Sequence, residues 1–263
     1  MRIALCVKRD LFGLIGLRAL LPRCAGHAVA VFCSDRTRPD ETTTPALMRL
    51  RMLERELPFA ALAALPGGGL DGAADPARWR LLPSVRDAAA AGPQLDFAPD
   101  LIVSVRFSHI FRPWLIDAVP HGILNVHPAP LPGYRGLFTP FWQAVSGVPR
   151  FGVTLHRVDA GIDTGPVVAT AEVPRCAGRS LLWHMGELYA AGAGLAGDAV
   201  AALAAGRAVA GTPQSGEARS WAFPEEAAFA SLPMPLATRE DYLGLLARAF
   251  APDVAAALPV AAE

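Results

Sequence analysis

The 263-residue chain is nearly free of two common residue types: Lys8 is its one lysine and Asn125 its one asparagine, although 24 basic residues are present. Both types have A-rich codons, while Ala, Gly, Pro and Arg abound. The skew reads as a GC-rich genome that has replaced Lys and Asn wherever replacement is tolerated, which makes a surviving asparagine a position to examine. Net charge is lacking as well. The 24 basic and 24 acidic residues leave a formal charge of zero, with no global field for gripping a phosphate backbone, so no nucleic-acid partner is expected. The cysteines Cys6, Cys24, Cys33 and Cys176 form no CxxC pair and have no histidine at metal-ligand spacing. That pattern excludes a metal cluster and a disulfide framework and suits reduced thiols in a cytoplasmic protein. No signal-peptide core forms in MRIALCVKRD, and the most apolar later stretch, Tyr189 to Gly206, carries Asp198 near its centre. A packed helix is expected there rather than a membrane span, and no membrane partner. Also missing are GxGxxG after the first apolar run, where the chain reads VKRDLFGLIG, and any Walker A, HExxH or GxSxG sequence, which disfavours a dinucleotide-dependent dehydrogenase above all.

What is present is a globular composition, 52% hydrophobic and 18% charged, in which short β-branched runs alternate with longer helical patterns. This alternation predicts an α/β fold: an open, twisted, mostly parallel sheet, Rossmann-like in layout, with helices on both faces. Strands are expected at 2–7, 28–33, 101–105, 122–126, 152–158 and 166–173. Helices are expected at 12–21, 45–56, 76–90, 113–118, 140–146 and 181–203, with Ser180 and Thr139 as N-caps. The Gly-rich stretch 65–75 reads as a surface excursion. Periodicity fades after the long helix, so residues 1–208 are expected to form the main domain and 209–263 a short C-terminal extension with a helix at 239–250. The segment LMRLRMLERE, 47–56, reads as an amphipathic surface helix.

Two segments carry chemistry: GILNVHPAPLPGYRG from Gly122 and FGVTLHRVDAGIDTGPVV from Phe151. On a strand, positions i and i+2 share a face, so Asn125 and His127 converge on one point at a strand's carboxyl end, where open α/β sheets bind ligands. The prolines that follow stiffen a loop, and the turn AGIDTG presents Asp163. An Asn donor, an imidazole and a carboxylate suit acyl transfer by direct attack of an amine, with Asn125 and His127 donating to the oxyanion and Asp163 raising the His127 pKa. Tyr134 and Arg135 are candidates to meet an acidic acceptor, although pinning the proline loop is the preferred role for Arg135. Arg106 is either a contact to an anionic ligand tail or a solvated loop charge. His156 reads as a hydrogen-bonded core residue, and Phe138, Phe141, Trp142 and Trp183 as packing.

NVHPAPLPGYRG followed by GVTLHRVDAGIDTG resembles the formyltransferases that use 10-formyltetrahydrofolate, over roughly 101–173. The resemblance implies a catalytic triad of Asn125, His127 and Asp163. It also implies a pterin pocket lined by His109, Ile110 and Phe111, largely through their backbone, and closed by the turn holding Asp159 and Gly161, with Leu131-Pro132 at the place of a cis peptide. The implied co-substrate is 10-formyltetrahydrofolate, with no metal. Departures narrow the acceptor. The tail is short and not basic for a tRNA-holding domain, a Gly/Ser-rich phosphate loop is missing after the first strand, and no regulatory domain precedes that strand. The expected acceptor is therefore a small amine of secondary metabolism: a hydroxyornithine-type amino acid or an amino sugar. A 10-formyltetrahydrofolate hydrolase and a non-catalytic folate-binding protein remain alternatives, and oligomeric state, a homodimer included, is open.

Overall fold

A computed structural model of the chain describes residues 1–64, 78–92 and 96–250. A seven-stranded sheet runs in the order β3-β2-β1-β4-β5-β7-β8, built from β1 (Arg2–Lys8), β2 (Ala28–Ser34), β3 (Arg80–Leu81), β4 (Leu101–Val105), β5 (Ile123–His127), β7 (Arg150–Arg157) and β8 (Val167–Pro174). The pairings from β3 through β5 are parallel, and β5–β7 and β7–β8 are antiparallel. A second, two-stranded ladder joins β6 (Arg135–Gly136) to β9 (Ser220–Trp221) in parallel.

Side-chain alternation sorts the strands onto two cores. Ile3, Leu5 and Val7 of β1, with Leu101, Val103 and Val105 of β4 and Leu124 and Val126 of β5, face α1 (Leu11–Leu20) and the long C-terminal helix of the sheet. Ala4, Cys6, Ile102 and Ile123 face the other way, toward Leu115, Val119, Leu82 and Val85. Helices thus cover both faces, the second thinly. That thin cover leaves the last residues on the second face, Lys8 of β1, Ser104 of β4 and Asn125 and His127 of β5, bordering a cleft.

The helices after β2 are α2 (Asp40–Thr43), α3 (Pro45–Arg51), a single π-helical stretch Met52–Glu56, and α4 (Leu57–Ala64). The expected 45–56 helix therefore exists with a widened end, and it is no plain surface helix: Leu47, Leu50 and Glu54 are all buried. The expected helix at 76–90 is not found. Among the described residues from 78 onward the chain forms β3, which pairs with Phe32 and Cys33, and then turns; edge pairing to β2 outweighed the Ala-rich helical propensity. The stretch 65–75 lies outside the described residues. Further on come α5 (Pro113–Ile116), α6 (Thr139–Val145), α7 (Leu181–Ala204) and α8 (Arg239–Ala249). Thr139 is the first residue of α6 rather than its cap; the cap position is Phe138, in the left-handed region at φ 48. Ser180 does cap α7, accepting from Trp183 N at 3.3 Å.

Helix α7 lies close on the sheet because its inner face is small. At Gly192 a Cβ would stand 2.3 Å from Val126 Cγ1 and 3.0 Å from Val153 Cγ2. Both neighbours are β-branched and stiff, so they yield little. After α7 the chain returns to the sheet, with Thr212 bridging to Val167, and α8 packs on α1 and α7. Among the described residues no helix is long and apolar enough to cross a membrane.

Replacing Gly192 by Ala sets a helix-propensity gain of about 1 kcal/mol against an overpacking cost of about 1–3 kcal/mol. The expected net result is a lower urea midpoint at unchanged slope; a raised midpoint would mean that α7 can move off the sheet.

Candidate active site

Asn125 and His127 occupy the end of β5, and β7 runs antiparallel beside it with Asn125 opposite His156 and His127 opposite Thr154. Directly opposed residues on neighbouring strands share a face, so His156 joins the pair that the sequence predicted. The turn after β7 carries Asp163 at φ 53, a left-handed conformation that aspartate tolerates better than most residues. It returns the carboxylate over the strand ends: Oδ2 lies 3.6 Å from His127 Nδ1, and Oδ1 3.6 Å from His156 Nε2. Gly136 N donates to Oδ2 at 2.9 Å. Glycine is required at 136, where φ is 97 and a Cβ would meet Trp221 O at 2.3 Å.

Hydrogen-bond partners fix the proton positions. His156 Nδ1 lies 2.8 Å from Arg157 O, so that nitrogen carries the hydrogen and Nε2 accepts. Asn125 Nδ2 lies 3.1 Å from this Nε2, which orients the carboxamide and leaves its second N–H for the cavity. His127 Nε2 is 2.5 Å from Tyr134 O and must donate there. The free nitrogen of His127 is then Nδ1, facing Asp163. This differs from the expectation that His127 offers a proton to an oxyanion.

Burial is the largest influence on His127 and lowers its pKa, outweighing the opposing pull of Asp163; His156 lowers it further and the Tyr134 carbonyl raises it. The expected net upward shift is not what the structure shows, because the ring is 4% exposed and desolvation wins. For Asp163 burial also acts first, upward, but the two imidazoles and the Gly136 N–H overcome it and hold the carboxyl well below the usual range.

The proline loop is anchored from below. Buried Gln143 donates to Pro128 O at 2.9 Å and accepts from Gly152 N at 2.7 Å, while Thr154 Oγ1 donates to Ala129 O at 2.7 Å. Leu131-Pro132 is cis. The C-terminal extension completes the frame: Gln214 donates to Asp163 O and Gly165 O at 2.9 and 2.8 Å and accepts from the Arg135 guanidinium at 2.7 Å. Arg135 thus pins the loop. Tyr134 stacks on Trp221, and neither Tyr134 nor Arg135 lines the cavity.

That cavity, about 680 Å³, includes Asn125, His127, His156 and Asp163 in its wall. One side is the segment Ser108 to Phe111, the other Val158 to Asp163, so His109, Ile110, Phe111, Asp159 and Gly161 all line it. Ile110 and Ile162 are 44% and 59% exposed, an apolar rim suited to a flat heterocycle. His109 Nε2 is tied to Leu82 O at 2.9 Å, and the Asp159 carboxylate accepts from Gly161 N and Thr164 Oγ1, holding its turn. Ser108 Oγ and Thr139 Oγ1 line the cavity with no partner. The residues present therefore fit a ligand with an apolar ring and polar edges.

The opposite end of the cavity holds what sequence reasoning missed. Lys8 donates to Glu41 Oε1 at 2.8 Å, and Arg106, at φ 62, donates to Asp10 Oδ2 at 2.6 Å and to Glu54 Oε2. Arg106 is thus a buried ion-pair residue and no solvated loop charge. The signal that pointed to Asn125 applied equally to Lys8, the one lysine of the chain. Among the described residues, three of the four non-glycine positions with positive φ, Arg106, Phe138 and Asp163, line this cavity, which places backbone strain at the site. Among the described residues no cluster of His, Cys, Asp or Glu is disposed to hold a metal.

A mostly parallel open sheet with polar side chains gathered at its strand ends is also the architecture that comparison with known proteins finds. Residues 73–181 match the family model described as formyl transferase. A methionyl-tRNA formyltransferase of Bordetella parapertussis is 37% identical over 198 residues, 74% of this chain and 59% of that protein; the chain thus spans about three fifths of such a relative. Two solved structures share the fold. Glycinamide ribonucleotide transformylase 1 from Symbiobacterium toebii has 24% identity and a TM-score of 0.56, covering 79% of this chain and 89% of its own. The sugar 3N-formyl transferase WlaRD, solved in the presence of dTDP and 5-N-formyl-THF, has 15% identity and a TM-score of 0.54, covering 84% and 69%.

Because the folded pKa of His127 lies below its unfolded value, the unfolded state binds more protons at mildly acid pH. The stabilisation is complete above about 6.5 and is lost as pH falls through the folded value; His109 and His184 shift the same way. The variant His127→Gln is expected to lose less melting temperature between pH 7 and 5 than the parent. An equal loss in both would show that His127 is not held neutral.

Proposed function

We propose that the protein moves the formyl group of 10-formyltetrahydrofolate to the amine of a small molecule by direct attack. The observation that carries this reading is the single cavity in which the uncommitted Asn125 N–H, the free Nδ1 of His127 and the ionised Asp163 meet. The pterin end of the co-substrate is assigned to the cleft between 108–111 and 158–163. The solved relative WlaRD was obtained with 5-N-formyl-THF, which supports a folate donor here.

In this mechanism the neutral amine attacks the formyl carbon, forming the C–N bond as the carbonyl electrons move to oxygen. Asn125 donates its second N–H to that oxyanion. The attacking nitrogen becomes cationic and releases its proton to His127 Nδ1, and the imidazolium so formed is stabilised by Asp163 3.6 Å away. The same proton then reaches the departing folate nitrogen as its bond to the formyl carbon breaks, returning His127 to neutrality. The role of Tyr134 is to fix the tautomer through its carbonyl. His156 holds the Asn125 amide in its productive orientation.

The similarity to methionyl-tRNA formyltransferases supports a second acceptor, charged initiator tRNA; neutral net charge favours the small amine. Both are resolved by following folate release with amino sugars, diamino acids, hydroxylamino acids and methionyl-tRNA in parallel. Small-amine turnover without tRNA turnover is expected, and the reverse overturns the acceptor assignment. Formate release without any amine indicates a hydrolase. Asn125→Ala and Asp163→Ala are each expected to lower turnover at least about a hundredfold, or about 3 kcal/mol of barrier, with unchanged circular dichroism. Near-full turnover in either variant removes that residue from the mechanism.

A further inference from the structure

The charged floor of the cavity at the ends of β1 and β4 has a hydrogen-bond surplus of definite sign. Asp10 is saturated, with Oδ1 accepting from Gly13 N at 2.8 Å and Oδ2 from Arg106 at 2.6 Å. Glu41 is saturated as well, by Lys8 Nζ at 2.8 Å and Arg38 N at 2.7 Å. Lys8 gives one of its three N–H groups to Glu41, so two remain. Glu54 gives Oε2 to Arg106 and leaves Oε1 uncommitted. Beside it on α3, Arg51 has a buried Nε with no partner, while its terminal nitrogen meets Glu56 at 3.0 Å. Lys8, Glu54 and Arg51 all line the cavity. Cationic donors and one anionic acceptor are therefore left over, side by side and nearly dry.

This surplus is wrong for a phosphate. The N-terminus of α1, where an anion would be attracted, is already occupied by the Asp10 carboxylate. Asp10, Glu41 and Glu54 pair with Lys8 and Arg106, and Arg36, Arg38 and Arg51 also line this end, so what a phosphate alone would leave unanswered is the Glu54 acceptor. A group bearing both signs matches it. Resting on the formyl-transfer reading above, we propose that this floor is the recognition site for the zwitterionic head group of an α-amino acid, and that the acceptor is an amino acid whose side chain ends in an amine or hydroxylamine. The α-carboxylate is taken by the spare donors of Lys8, with the Arg51 charge beside it, and the α-ammonium by Glu54 Oε1. Strand spacing sets the reach. Asn125 on β5 pairs with Ser104 on β4, which pairs with Cys6 on β1, and Lys8 stands two residues beyond Cys6, so the backbones of Asn125 and Lys8 are roughly 12 Å apart. Inward-reaching side chains reduce this to the span of a side chain of about three or four methylenes. Burial raises the Glu54 carboxyl to about 7, against the opposing pull of Arg106; an arriving ammonium favours the ionised form.

The test uses ligand truncation and variants together. Ornithine and N-hydroxyornithine are compared with putrescine, which lacks the carboxylate, with 5-aminopentanoate, which lacks the α-ammonium, and with a nucleotide-linked amino sugar. Calorimetric binding to the full-length protein holding 5-formyltetrahydrofolate is measured beside steady-state transfer from 10-formyltetrahydrofolate. Each truncation is expected to weaken binding and raise KM roughly tenfold or more. Lys8→Met should weaken ornithine by a similar factor but putrescine less than about threefold, and Glu54→Gln should weaken ornithine but 5-aminopentanoate less than about threefold. Equal penalties on whole and truncated ligands, tighter binding of the amino sugar, or no dependence on either head group overturns the proposal. Head-group-dependent binding with no transfer to any amine would leave this site standing and sink the transfer reading. Transfer to an amine that ignores both head groups does the opposite. If Lys8→Met fails to fold, the truncation series alone decides.

Discussion

The site is organised around one buried negative charge. A carboxylate such as Asp163, 15% exposed at its side chain, is costly to take out of water unless hydrogen-bond donors and cations surround it. Its neighbours come from different parts of the chain: the Gly136 N–H of β6, which donates to it, and the two imidazoles of β5 and β7, each 3.6 Å away and able to meet it with a proton when charged. The same demand explains why the β7–β8 turn adopts a left-handed residue, and why Gly136 must be a glycine pressed against Trp221. The sheet positions the imidazoles, and the carboxylate then dictates how the loops close.

Much of this was legible in the sequence because it follows from short-range geometry. The two-residue periodicity put Asn125 and His127 on one face, and all six expected strands overlap observed ones to within two residues at each end. The scarcity of asparagine singled out Asn125, which does stand in the cavity wall beside His127 and His156. Where local pattern misled, a long-range partner decided. Arg80 and Leu81 became a short edge strand because β2 offered backbone bonds, the alanines beyond them forming turns, and Arg106 became a buried ion through Asp10 and Glu54, which lie far away in sequence. His156 shows a subtler limit. It is buried and hydrogen-bonded, as a core histidine would be, and only the antiparallel register with Asn125 reveals that it also borders the chemistry.

The two ends of the cavity contrast in physical character. Toward 108–111 and 158–163 the walls are apolar at the rim and held by backbone bonds, a surface that recognises shape. Toward β1 and β4 they are ionic and desolvated, a surface that recognises sign and spacing. A desolvated ionic floor punishes a ligand lacking the matching charge far more than an apolar wall punishes a missing methylene.

The ladder between β6 and β9 joins residue 135 to residue 220. Contacts of such long sequence separation close late, after local helices and the parallel strands have formed. During synthesis the sheet, Asn125 and both imidazoles are therefore assembled while the Asp163 turn still lacks the Gln214 tie. The Asp163 turn is thereby held by a residue 51 positions downstream, so the frame of the site depends on a segment that follows the sheet rather than on the sheet itself.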